Sequence, residues 1–446
     1  MEETLRRAGE IALHRICQQG VAGEAFLLHN RELSIDISAG EIETLKEAEQ
    51  IGLGVRVFNS GRVGFAYSTD LSPAAIDDVV RNAVSISAYT AADEFNQLPE
   101  GKQEYPAMHT YDPGITATSL EEKIELARAA ERAARAYDPR VDLVERAGYQ
   151  EATSSILIMN SRGLNAGGKG NYCGLHVSLA AHEDEECQNG FAFSIHKKIA
   201  ALDACQVGEE AAMKAVRSLK GRTIASTRIP CLMEPYVVTR FMNLLAISIQ
   251  ADAVQKGKSM LADKLGQQVA ASNIKLVDDA TYEDGLGSFP FDGEGIPSRK
   301  NTILEQGVLR GFLFDHHTAL KAGQKSTGNA VRGSFRSLPG VGTTNLILGP
   351  GIASPEELIA DTGSGFYITE VMGMHTANPI SGDFSVGAAG IMIEQGRLAY
   401  PVRGVTIAGN LWQLLQDIDT VGSDLRFFGS RAAATVRLNS MSVGGH

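Results

Sequence analysis

The sequence predicts an α+β protein in two parts. The N-terminal half reads as antiparallel meander sheets with helices. The C-terminal half reads as a curved antiparallel or mixed sheet with one long helix. Three observations carry this. Short alternating apolar and polar runs, each bounded by turn residues, recur through both halves. Long helical patterns are few and do not alternate one for one with strands, as a doubly wound parallel sheet requires. The residue pattern changes near 222–228, which divides 446 residues into segments 1–224 and 225–446, each of ordinary domain size.

Residues 1–20 place Leu5, Ile11, Leu13 and Ile16 roughly on one helical face. Strand patterns follow at 25–29, 33–37, 52–58 and 63–67, with Asn59-Ser60-Gly61 as a hairpin turn. Pro73 marks the first turn of a helix over 73–89, and Ser119 with Glu122 makes a capping box for 119–137. A second meander is expected at 141–148, 153–160, 172–181 and 190–199, with Gly167-Gly-Lys-Gly-Asn171 as a loop or bulge. A helix over 207–219 has Gly221 in place to cap it. In the second half a short strand, 229–233, runs into a long apolar helix at 235–256. Strands are expected at 300–305, 308–315, 343–348, 365–372, 385–395, 398–408 and 432–443, with short helices near 354–360 and 411–418.

Composition narrows the function. A net charge of −12 gives no support to a nucleic-acid surface. No run approaches the roughly 18 apolar residues of a membrane span, and the first residues lack a signal peptide's apolar core. The five cysteines are scattered and never spaced C-x-x-C, which fits structural thiols in a reducing compartment. A cytoplasmic protein is expected.

The common catalytic motifs fail on specific residues. Gly257-Lys258-Ser259 resembles the end of a phosphate loop, but Asp252 stands where the leading glycine must be. Gly52-x-Gly54 lies in a strand pattern, not at a strand-to-helix turn. No H-E-x-x-H and no G-x-S-x-G occurs. His182-Glu-Asp-Glu-Glu186 reads as a solvated acidic turn. His316-His317 would diverge by about 100° on a helix, and Asp278-Asp279 is expected in a loop without calcium-hand spacing. One stretch concentrates polar groups among small residues: His375, Asn378 and Asp383 within 372–390, leading directly into two strands. Such a loop either carries a site or bonds its own backbone.

Several short segments, in order, resemble the TldD/PmbA family, historically called modulators of DNA gyrase. They are Lys325-Ser-Thr-Gly-Asn329, Ser381-Gly-Asp-Phe-Ser-Val-Gly-Ala-Ala-Gly390, Ile393-Glu-Gln-Gly396, Pro401-Val-Arg-Gly404, Ile407-Ala-Gly-Asn410 and Ser442-Val-Gly-Gly445, with Ile51-Gly-Leu-Gly-Val-Arg-Val57 in the first half. The resemblance implies a metallopeptidase-related fold. TldD-like members carry H-E-x-x-x-H on the long helix, two zinc-binding histidines with a glutamate as general base, and a cysteine in a loop near the C-terminus. Registered on Lys256-Gly257, those helix positions are Met242, Asn243 and Ile247 here, and the loop 427–433 has no cysteine. A thioether, an amide and an alkyl group cannot do that chemistry.

The resemblance therefore implies a PmbA (TldE)-type subunit. This chain is expected to hold no cofactor, with zinc only in a TldD-like partner, and to help process or degrade unfolded or extended peptides. His375, Asn378, Asp383 and Asn329 are the candidate peptide or interface residues. The alternatives are a self-sufficient homodimeric peptidase or amide hydrolase, with a set that includes His375 and Asp383, or a non-enzymatic regulator. Homodimerisation of the chain alone is open.

Overall fold

The computed structural model describes residues 1–445 and has the α+β character expected. The first half is built on six antiparallel strands: β1 Ala22–Ser38, β2 Glu41–Asn59, β3 Arg62–Ser68, β4 Leu143–Asn160, β5 Asn165–Glu183 and β6 Glu186–His196, in the order β3-β2-β1-β4-β5-β6. The strands are long. At about 3.4 Å per residue the 19 residues of β2 or β5 run about 65 Å.

A face that long takes two helix pairs side by side. Helices α1 (Glu2–Gln18) and α2 (Pro73–Ser87) cover one end, burying Leu5, Ile16, Ile76 and Val80 against Ala25, Leu27, Leu53 and Val55. After the short α3 (Pro113–Ala117), α4 (Leu120–Tyr137) and α5 (Ala204–Ser218) cover the other end, against Ile35, Ile37, Tyr149 and Leu175. The alternate residues of β1 and β4, Phe26, Leu28, Ile156 and Ile158, face the opposite way and meet Phe289, Phe291 and Phe335 of the second half. Gly52 and Gly54 are needed there. A Cβ on Gly52 would lie 2.3 Å from the Phe335 ring, and one on Gly54 2.4 Å from the Phe335 carbonyl.

The second half begins with β7 (Thr227–Met233), α6 (Pro235–Ser248) and α7 (Ala251–Gln255). It continues through β8 (Leu276–Asp279), β9 (Lys300–Glu305), β10 (Val308–Leu309), α8 (His316–Lys321), β11 (Ala330–Val331), β12 (Gly340–Val341), β13 (Leu346–Leu348) and α9 (Pro355–Thr362). It ends with β14 (Gly365–Met372), β15 (Asp383–Glu394), β16 (Arg397–Asn410), α10 (Leu411–Asp417), β17 (Ile418–Val421), β18 (Arg426–Phe428), β19 (Arg431–Ala433) and β20 (Val436–Gly444). One sheet runs β10-β9-β8-β13-β19-β18; the other runs β16-β15-β14-β7-β20-β17 and curls until β16 also pairs with β20. Parallel pairs (β13 with β19, β14 with β7) make both sheets mixed. Helix α6 fills the space between them, with Val237, Phe241, Met242 and Leu245 in the core.

Several element boundaries differ from the sequence reading. Gly167–Asn171 is not a loop: it lies inside β5, paired with 153–157 of β4. Gly168 sits under Phe289, whose ring would be 2.7 Å from a Cβ, so packing outweighs the low strand propensity of glycine. The long helix is broken after Ser248, because Leu313 N–H donates to the Ile249 carbonyl and Ala251 N–H to the Leu313 carbonyl. The same diversion ends the strand expected over 308–315 at Leu309. The expected strand 432–443 is two strands in different sheets. Helix α5 is closed by Leu219, with Lys220 rather than Gly221 at positive φ. Asp278 and Asp279 lie in β8.

Candidate functional site

The two halves enclose a cleft of about 420 Å³. One wall is the sheet face carrying Phe26, Ala152, Ser154 and Ile156; the other comes from loops of the second half, with Leu286, Phe289, Thr343, Thr344 and Ser430. The charged residues lining it are Lys197, Asp292 and Arg332. A larger trough of about 860 Å³ lies on the helix side of the first sheet, where Lys123 pairs with Glu151 at 2.8 Å, Arg31 with Glu47 at 2.9 Å and His29 with Glu49 at 2.6 Å, and Lys169 lies over the Tyr111 ring.

Lys197 is nearly buried, and its ammonium donates to the Ser288 carbonyl at 3.0 Å. Burial lowers its pKa to about 8. Behind Arg332 is a buried ion cluster that joins the halves. Arg56 donates to Glu24 and to Glu294, each at 3.0 Å; Arg332 donates to the other Glu24 oxygen and, at 2.7 Å, to the Gly293 carbonyl. Asp292 accepts from the backbone N–H groups of Glu294, Ile296 and Ala330 at 2.9–3.0 Å. Burial, with Glu294 beside it, raises the Asp292 carboxyl to about 7 against those three donors.

Under Thr344, below the cleft surface, lies a buried polar network. Asn329 is fully buried and donates to Asp278 at 2.6 Å and to the Gly342 carbonyl at 3.1 Å, while its own carbonyl oxygen accepts from Asn301 and Thr327. Asp278 also accepts from the Thr344 N–H and hydroxyl at 2.8 and 2.9 Å. Burial raises its pKa, and these donors oppose the rise. Beside this network, Arg431 at the start of β19 donates to the Thr343 hydroxyl at 2.7 Å and to the Asn243 side-chain oxygen on α6 at 3.2 Å.

The remaining positions singled out in the sequence fall elsewhere. Met242 is buried in the core of the second half, and Ile247 is 39% exposed. His375 is exposed on a one-turn helix, Met374–Thr376. The Asn378 carbonyl oxygen accepts from the Ile380 and Ser381 N–H groups at 2.9 and 3.1 Å. Asp383 accepts from Asn410 at 2.9 Å and from the Ser381 hydroxyl at 2.7 Å, donors that hold its pKa below the usual range. Asn329 has all its partners outside this loop. Among the described residues, His375 makes no side-chain hydrogen bond and no ion pair with Asp383.

The acidic turn is paired: Glu183 meets Arg140 at 2.7 Å and also Lys220, and His182 meets Asp142 at 2.5 Å. His317 bonds Asp93 at 3.0 Å. No three His, Cys, Asp or Glu side chains among the described residues converge as a metal-holding set. At Met242, Asn243 and Ile247 the donors do not fit zinc, and the Arg431 guanidinium adds a positive charge. Sequence reading missed Arg431, Lys197 and Arg332. The only available signal for Arg431 was its place in the loop 427–433, where the resemblance implies a metal ligand.

Comparison with known proteins agrees with this architecture. The models of PmbA/TldA metallopeptidase domain 1, central domain and C-terminal domain match residues 23–87, 113–219 and 226–445. Metalloprotease PmbA of Escherichia coli O157:H7 is 30% identical over 99% of this chain and 96% of its own length. A metalloprotease TldD homolog of Haemophilus influenzae is 27% identical over 83% of this chain and 79% of its own. The crystal structure of a putative modulator of DNA gyrase from Thermotoga maritima superposes with a TM-score of 0.91 at 31% identity, covering 98% of this chain and 100% of that one. TldE from Thermococcus kodakarensis shares the fold, with a TM-score of 0.90 at 22% identity and both chains covered in full. With all three domains matched in order and a relative aligned from end to end, this chain belongs to the PmbA/TldD family.

Proposed function

We propose that this chain is the zinc-less subunit of a heteromeric cytoplasmic peptidase that acts with a TldD-like partner on unfolded or extended peptides. One observation carries the reading. Where TldD-like chains are expected to place two histidines and a glutamate, this chain has Met242, Asn243 and Ile247, and Asn243 is engaged by a guanidinium. Neither a Lewis acid nor a base is available at that position. What the chain offers is a walled cleft with apolar side chains and the hydroxyl-bearing Thr343, Thr344 and Ser430, suited to holding an extended segment while the partner supplies zinc chemistry. The Asp383 carboxylate is turned to Asn410 and Ser381 rather than to His375, which gives the self-sufficient hydrolase reading no support.

The test is co-purification with a TldD-like partner, followed by zinc analysis and hydrolysis of unstructured peptides by each chain and by the mixture. Activity and zinc are expected only when the partner is present. Stoichiometric zinc in this chain alone, or hydrolysis without the partner, overturns the reading.

A further inference from the structure

We infer that Arg431, Asn243, Thr343 and Ser430 form a carboxylate-binding cradle that receives the free C-terminus of a peptide lying in the cleft. This rests on the peptide-handling reading for the ligand's class and on the structure for the site.

The hydrogen bonds of the cradle set its chemistry. Arg431 Nε donates to Asn243 Oδ1 at 3.2 Å, Nη2 to Thr343 Oγ1 at 2.7 Å, and Nη1 to the Ser430 carbonyl and hydroxyl oxygens, each at 3.2 Å. All of these partners are neutral, and among the described residues no Asp or Glu is within ion-pair distance of Arg431. Asp278 is the carboxylate whose field reaches it, yet Asp278 is already held by Asn329 and Thr344. The guanidinium is half-buried, so its charge is less screened than on an open surface.

Each side-chain partner turns an oxygen toward the arginine. Its protons therefore point elsewhere: the Asn243 amide N–H pair, the Thr343 O–H and the Ser430 O–H, together with the one guanidinium N–H, on Nη2, that the four bonds leave unused. The cradle thus presents donors and one positive charge, the complement of a planar group with two acceptor oxygens. A carboxylate fits. Thr343 and Ser430 also line the cleft, whose apolar walls include Phe26, Ile156, Phe289 and Phe291. A ligand anchored at the cradle would lay its last side chain there, which favours a C-terminal carboxylate with an apolar terminal residue over an acidic side chain within a chain.

The experiment is fluorescence anisotropy on the purified full chain, without partner or added zinc. The probes are an N-terminally labelled hexapeptide ending in Leu-Phe as the free acid, the same peptide as its C-terminal amide, and an amide carrying one internal Asp. The acid is expected to bind about tenfold or more tighter than either amide, the loss typical of a charge-assisted hydrogen-bond pair. Arg431→Gln is expected to weaken the acid by a similar factor and level it with the amide, and Arg431→Lys to retain part of the preference. Asn243→Asp, at an exposed side chain, is expected to abolish the preference by giving the guanidinium an internal carboxylate while leaving the melting temperature unchanged. Equal binding of acid and amide, no binding of the acid, or a preference that survives in folded Asn243→Asp overturns the cradle. An Asp-bearing amide that matches the acid overturns the C-terminal assignment. None of these readings depends on zinc or turnover, so they fail independently of the heteromeric-peptidase reading.

Discussion

Glu24→Gln removes one negative charge from the buried cluster that joins the two halves. Glu24 is fully buried; one carboxylate oxygen accepts from Arg56 at 3.0 Å and the other from Arg332. Glutamine keeps one acceptor and turns an N–H pair toward a guanidinium, so one hydrogen bond becomes a donor–donor contact. Arg56 keeps Glu294 as its ion-pair partner, while Arg332, paired with Glu24 in the wild type, is left without one. Removing one partner of a buried pair costs about 3–5 kcal/mol because the other charge stays desolvated. At about 1.4 kcal/mol per tenfold, the unfolding constant rises by two to nearly four orders of magnitude. The assay is urea unfolding followed by circular dichroism; urea is chosen because guanidinium chloride would screen the charges under test. Glu24→Gln with Arg332→Met is expected to be more stable than Glu24→Gln alone, since it removes the stranded cation and keeps an apolar side chain over Phe26, where Arg332 now stacks at 4.7 Å. A loss below about 1 kcal/mol in the single variant, or a double variant that is weaker still, refutes the reasoning.

Lys197→Met should change how stability depends on pH. The folded pKa is near 8 and the unfolded value near 10.5, so between them the unfolded chain binds more protons and wild-type stability rises with pH; paired urea titrations should show wild type gaining on the variant by up to about 1.4 kcal/mol per unit from pH 8 to 10. Gly64→Ala would put a Cβ 1.8 Å from the Ala83 carbonyl oxygen on α2, a backbone atom that cannot swing aside; a loss of about 3 kcal/mol is expected by the same assay. A disulfide reagent should label Cys17, Cys187 and Cys205 in the native chain and reach Cys173 and Cys231, whose thiols burial pushes up to about 12, only after unfolding, as peptide mapping would show.

What was legible in the sequence was local. Ser119 and Glu122 form the reciprocal cap, with Glu122 N–H donating to the Ser119 hydroxyl at 3.3 Å and Ser119 N–H to the Glu122 carboxylate at 2.9 Å. Asn59-Ser60-Gly61 turns β2 into β3 with Ser60 and Gly61 both at positive φ. What was not legible depended on partners far away in the chain. The break after Ser248 is made by Leu313, and the strand conformation of Gly167–Asn171 by β4 and Phe289. The candidate site divides in the same way. A missing ligand can be read from one residue's chemistry, as at Asn243, but the arginine that meets it lies 188 positions away, and no periodicity or spacing links the two.

That arginine also bears on whether zinc can be restored. Met242→His, Asn243→Glu and Ile247→His together would rewrite the helix as the H-E-x-x-x-H of TldD-like chains. Ile247 is partly exposed and should accept a histidine, whereas Met242 is in the core, where an imidazole exchanges apolar contact for a buried polar ring. The new glutamate would lie against Arg431, which already bonds residue 243, so its charge would be spent on the guanidinium rather than left free as a base. A dication about 5 Å from that guanidinium would be repelled by about 6–7 kcal/mol at an effective dielectric of 20, enough to remove four to five orders of magnitude in affinity. The triple variant is therefore expected to retain far less than one zinc per chain after desalting, and addition of Arg431→Cys to raise that content by removing the charge and supplying a thiolate from the same loop. Mass spectrometry for metal content decides it: a full zinc in the triple variant with Arg431 in place refutes the argument.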